Sequence, residues 1–200
     1  IKCYKEGIMR TCEVMVPCPW FEEAVTLLNE NPGLDVGVHL TLTSEWENVK
    51  WRPLTQTPSL MDETGNFPQT VWGGRNFKYK SLKELDPPVE DVEKELRAQI
   101  ELALKRIRNV THLSFHMGAP VYRDDLKKLV ERLAKEYDLL IRPEEMKRIG
   151  PRTSGNTPTA ERIDAFVKTL ESLAPGLYLA VEHPGRDCAE MRAMGHKGYE

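Results

Sequence analysis

Short apolar runs and amphipathic stretches alternate along this 200-residue chain, and no other feature constrains its fold as tightly. Runs with period two or dense β-branched character read as strands. Apolar residues recurring every three or four positions read as helices. Residues 10–16, 34–40, 111–116, 139–141 and 177–183 are the strand candidates, most of them closed by Pro or Gly. Between them run helical stripes: Phe21, Ala24, Val25 and Leu28; Val89, Val92, Leu96, Ile100, Ala103, Leu104 and Ile107; Leu126, Leu129, Val130, Leu133 and Ala134; Ile163, Phe166, Val167 and Leu170. Strands separated by helices pair in parallel through right-handed crossovers. The expectation is an α/β fold in one domain spanning residues 1–200, with the carboxyl ends of all five strands on one face. A chain of this length buries roughly 70% of its unfolded surface, enough for a real core.

Three of those strand candidates end in histidine: His39, His116 and His183. A lone histidine at a strand end is more often a satisfied core residue than a ligand. Three of them, with Arg142 closing the fourth candidate strand, would meet on the face where α/β folds keep their chemistry. Neutral imidazole is the commonest protein ligand for zinc-type metals, and such a metal brings the pKa of bound water toward 7. Spacing leaves open which histidines would hold metal and which would move protons. It also offers no obvious carboxylate: Glu182 alternates away from His183, and Asp35 lies near the start of its strand.

Composition removes several classes of function. A net charge of −3 gives no electrostatic reason to expect nucleic acid or an anionic membrane as partner. No apolar run approaches the ~18 residues of a spanning helix, and no signal-peptide pattern opens the chain. The four cysteines (Cys3, Cys12, Cys18 and Cys188) show no CxxC spacing, so free thiols in a reducing cytoplasm are expected. Asp124-Asp125 invites a metal reading, but acidic residues in a first helical turn more often serve the helix dipole. Residues 41–88 hold six aromatics among turn-forming residues: Trp46, Trp51, Phe67, Trp72, Phe77 and Tyr79. They read either as a packed loop or as a platform for a sugar face.

Gly37-Val38-His39-Leu40-Thr41-Leu42-Thr43, Thr111-His112-Leu113-Ser114-Phe115-His116 and His183-Pro184-Gly185 resemble successive motifs of the YdjC-like carbohydrate deacetylases. Gly7-Ile8 and the Glu95-Leu96-Arg97-Ala98-Gln99-Ile100 helix extend the resemblance over essentially the whole chain. It implies a distorted (β/α) barrel and a divalent metal, Zn or Mg, held by one Asp and two His, with His39 and His116 at the histidine positions. It places His183 at the proton donor, and the implied reaction removes an N-acetyl group from an amino sugar or oligosaccharide. Arg142 is the expected substrate-binding residue, and association between copies is left open. The family's two aspartates precede its first helix and have no counterpart here. Residues 1–6 read as the tail of a helix already under way, stopped by Gly7, so the first strand and both aspartates are expected upstream of Ile1. Ser114 and Gly118 stand where family members often carry Asp and His. A non-catalytic sugar-binding or regulatory relative is the alternative, and another barrel metallohydrolase or a sugar isomerase a third, because fold alone does not choose a reaction.

Overall fold

A computed structural model describes residues 1–74, 77–141, 146–150 and 157–194. The chain divides into two compact units, Ile1–Ile141 and Arg142–Glu200.

The first unit opens with a short helix α1 (Lys2–Lys5) and the strand β1 (Thr11–Val14). Then follow α2 (Phe21–Asn29), β2 (Asp35–Leu40), α3 (Leu82–Leu85), α4 (Val89–Arg106), β3 (Val110–Phe115), α5 (Asp124–Glu136) and β4 (Leu140–Ile141). The four strands form one parallel sheet in the order β1-β2-β3-β4, as expected from strand–helix alternation. Strand alternation gives that sheet two different faces. Val14, Val36, Val38, Leu40 and Leu113 are buried with Phe21, Val25 and Leu28 of α2 and Val92, Leu96, Ile100 and Ala103 of α4 in one apolar core. Glu13, Gly37, His39, His112 and Ser114 take the alternate positions and make the other face polar.

Helix α4 ends at Arg106, one residue short of its predicted apolar stripe, and is more polar inside than that stripe predicts. Glu95 and Gln99 are wholly buried on it, whereas Leu104, read from the sequence as core, is exposed. Both polar side chains are fully used. Glu95 accepts from Leu54 N, Thr55 N and the Thr55 hydroxyl at 2.7–3.1 Å and from Gln99 Nε2 at 2.8 Å. Gln99 in turn pairs with both backbone groups of Thr41, donating to its carbonyl at 2.8 Å and accepting from its N–H at 3.0 Å. Buried polar groups persist only when satisfied in this way. The pair fastens the chain leaving β2, and the loop beyond it, onto α4.

That long connection is packed rather than loose. Trp51 and Phe67 are buried, Trp51 Nε1 donates to Thr43 O at 2.8 Å, and Phe67 N donates to Trp51 O at 3.1 Å. Trp46 packs edge-on against Trp51 with ring centroids 5.4 Å apart. Only Trp72 and Phe77 of the six aromatics are exposed, so packing accounts for much of this aromatic content. Asp124 and Asp125 lie in the first turn of α5, where Asp125 accepts from Leu126 N and Arg123 Nε, each at 2.8 Å.

The second unit contains β5 (Lys147–Ile149), α6 (Thr159–Glu171), β6 (Tyr178–Ala180) and α7 (Ala189–Ala193), with β5 and β6 paired in parallel. β6 falls within the fifth strand candidate and ends three residues before His183. Its neighbour β5 has no apolar pattern, and for that reason the sequence reading missed it. Among the described residues no helix is long and apolar enough to cross a membrane.

Candidate active site

Two of the sequence-designated histidines come together. His39 lies one residue before the end of β2, and His116 immediately follows β3, the strand paired to it. Their rings stand edge to face with centroids 5.4 Å apart. Register explains the meeting, since His39 is opposite Ser114 and the parallel strands carry His116 to the same end of the sheet. Past His116 the backbone turns sharply, with Met117 at φ 51° and Gly118 at φ 68°. Gly118 adopts this left-handed conformation at little cost, which fits the abrupt stop read from Gly118 and Pro120.

Each ring is held by a neighbour that the sequence reading did not single out as a partner. His116 is buried, with Nε2 2.8 Å from a Glu45 carboxylate oxygen and the Trp51 ring 6.3 Å away by centroids. His39 Nδ1 lies 2.5 Å from Ser114 Oγ, and Ser114 donates a short hydrogen bond to Glu13 Oε2. The direct separation from His39 Nδ1 to Glu13 Oε2 is 4.0 Å, beyond hydrogen-bonding range. Thr41, two residues beyond His39, donates to the His39 carbonyl at 2.6 Å.

Glu13 also binds His112, Oε1 to Nε2 at 3.0 Å, while His112 Nδ1 is 2.8 Å from the Thr111 hydroxyl and 3.6 Å from Asp35. Strand register sets this contact as well. Glu13, Gly37 and His112 are successive partners across β1, β2 and β3, and a Cβ on Gly37 would collide with His112 Nε2 and come within 2.6 Å of Glu13 Oε2. Burial acts to raise the pKa of Glu13. Hydrogen bonds from His112 and Ser114, with the charges of His112 and His39, outweigh burial and hold it below the usual carboxylate value. The Glu13 hydrogen bond raises His112 above the usual imidazole value, against burial and with help from the charges of Glu13 and Asp35.

Two neighbouring imidazoles, each with one nitrogen engaged by a side chain, suit a divalent metal: ligating histidines are commonly oriented through their second nitrogen. Among the described residues no three His, Cys, Asp or Glu side chains gather around a common metal position. His183 is exposed in the second unit, and Arg142 lies outside the described residues. Glu13 left a faint trace in the sequence, as a carboxylate inside a β-branched strand. Glu45, five residues past β2 in an irregular segment, left none.

A parallel α/β sheet with two histidines at adjacent strand ends defines the class. The chain belongs to the YdjC-like protein family, whose model matches residues 1–199. It is 36% identical over 207 aligned residues to a carbohydrate deacetylase of Thermus thermophilus, covering 92% of this chain and 71% of the relative. A carbohydrate deacetylase of Clostridium beijerinckii is 30% identical over 201 residues, covering all of this chain and 74% of the relative. A crystal structure of an Enterococcus faecalis V583 protein named for cellobiose-phosphate cleavage superposes with a TM-score of 0.72, over 99% of this chain and 78% of that one. At 22% identity that likeness shows a shared fold.

Proposed function

We propose that the protein is a carbohydrate deacetylase that hydrolyses the N-acetyl group of an amino sugar or oligosaccharide with the help of a divalent metal. The observation that carries this reading is the His39–His116 pair, its rings 5.4 Å apart at the carboxyl end of the sheet. Membership of a family containing the two deacetylase relatives supports the reaction class. His39 and His116 would hold the metal, Zn or Mg. When bound, a metal supplies a water with lowered pKa and polarises the acetyl carbonyl.

The chain's own residues prepare the rest. Ser114 and Glu45 fix the two imidazoles, so little reorganisation is left for the moment of reaction. Buried Trp51 lies beside His116, with ring centroids 6.3 Å apart. His183 is assigned the acid that protonates the departing amine, and Arg142 a contact to the sugar. With all four cysteines free, the protein suits a reducing cytoplasm.

Acetate release from N-acetylglucosamine oligomers tests the proposal. The parent protein should release acetate, and His39→Ala or His116→Ala should abolish release while the circular dichroism spectrum stays unchanged. Sugar binding without acetate release by the parent would favour a non-catalytic relative instead.

A further inference from the structure

We propose that Glu13 is the carboxylate that sets the orientation and tautomer of His39, acting through the Ser114 hydroxyl. Glu13 is a positioning residue in this account. The proposal deepens the metal-site reading of His39 and rests on it for its functional meaning.

The geometry leaves few alternatives. Glu13 is too far from His39 for a direct hydrogen bond, and Ser114 Oγ touches both. A serine hydroxyl carries one proton, and an ionised carboxylate can only accept. Ser114 therefore gives its proton to Glu13 and receives the N–H of His39 Nδ1. A neutral His39 is then the Nδ1–H tautomer, with its lone pair on Nε2, the form required of an imidazole that ligates through Nε2. Without the carboxylate, the hydroxyl can rotate and donate to Nδ1 instead. That exchange moves the proton to Nε2 and removes the lone pair.

Glu13 is itself held in place for this role. Its second oxygen is tied to His112 Nε2 at 3.0 Å, and His112 is steadied by Thr111 at 2.8 Å. Gly37 lies between Glu13 and His112 in the strand register, and its missing side chain gives the two groups room to meet. Three adjacent strands thus each contribute to the state of one imidazole: Glu13 from β1, Gly37 and His39 from β2, and His112 and Ser114 from β3.

The test uses the 15N-labelled full chain without metal, with the His39 signals assigned through His39→Asn. Two-bond 1H–15N correlations report which ring nitrogen carries the proton. The parent should show His39 protonated at Nδ1. Glu13→Gln and Ser114→Ala should each give a mixture or the Nε2–H form. Zinc dissociation constants, measured by competition with a chelating dye, should weaken about 10- to 100-fold in both variants. The double variant Glu13→Gln/Ser114→Asp puts a carboxylate directly beside His39 and should restore both signals, a rescue that a purely structural role would not give. Ser114→Ala leaves the Glu13–His112 pair intact, so it covers the case in which Glu13→Gln does not fold. An unchanged His39 tautomer in the folded single variants overturns the proposal. A tautomer change in the variants of a parent that binds no zinc upholds the positioning role and removes the metal-site reading.

Discussion

Glu95→Gln is the smallest change that tests how the polar interior of α4 supports the site. The substitution keeps shape and volume but replaces one acceptor oxygen with a donor. In the parent, one Glu95 oxygen receives Leu54 N and Gln99 Nε2, and the other receives Thr55 N and the Thr55 hydroxyl. Whichever way the new amide turns, its NH2 faces a backbone N–H that cannot become an acceptor. Gln99 cannot flip to compensate, because both ends of its amide are committed to Thr41. The Thr55 hydroxyl can rotate and recover part of the loss. One or two buried donors are left unsatisfied at about 1–3 kcal/mol each, giving a destabilisation of about 1–6 kcal/mol. Against a typical total of about 5–15 kcal/mol, that is a large fraction. Urea denaturation followed by circular dichroism would measure it as a lower midpoint at similar slope. Gln99→Ala should cost a comparable amount, with the double variant losing less than the sum because the two residues share one network. A Glu95→Gln change below about 0.5 kcal/mol would show that this network does not hold the loop as described.

Gly37→Ala should destabilise the protein by about 1–3 kcal/mol through overpacking, because the new methyl meets both Glu13 and His112 on a central strand; a midpoint equal to the parent's would refute the close approach. His112 has a raised pKa, with Glu13 and Asp35 facing it, so its contribution to stability is complete below its usual value of about 6.5 and lost as pH rises through the raised value. Parent stability minus that of His112→Asn should accordingly shrink as the pH rises above about 6.5, and a pH-independent difference would contradict the pairing. Burial pushes the Cys18 thiol up to about 12, assisted by the charge of Glu45, and the Cys12 thiol up to about 11, assisted chiefly by Glu13. Iodoacetamide at pH 8, followed by peptide mass spectrometry, should label exposed Cys3 at least ~100-fold faster than Cys18; equal rates would refute the burial of Cys18.

Much of the architecture was legible because hydrophobic period is a local property. The faces of α2 and α5 and the cores of β2 and β3 follow from residue spacing alone, as does the arrival of His39 and His116 at one end of a parallel sheet. Three things were not legible, each for a physical reason. The partners of the histidines depend on register. Glu13 meets His112 and Ser114 across two strand pairings that include a register shift between Val36 and Gly37, and no spacing within one strand encodes that. The burial of Glu95 and Gln99 ran against their polarity, and tertiary hydrogen bonds to the 41–55 segment override that polarity. β5 has only three residues, Lys147–Ile149, two of them charged, so it carries no apolar alternation to detect. The expectation for Arg142 falls on a residue outside those described, and His183 is described within its own unit.

The central claim is that His39 and His116 share one metal ion. Anomalous diffraction at the zinc edge, from crystals of the protein soaked in zinc, tests it most directly. The account predicts one strong anomalous peak in contact with both imidazoles, with His39 bound through Nε2, and no such peak in His39→Ala crystals. A zinc peak bound elsewhere, with His39 still hydrogen-bonded to Ser114 and His116 to Glu45, would contradict it.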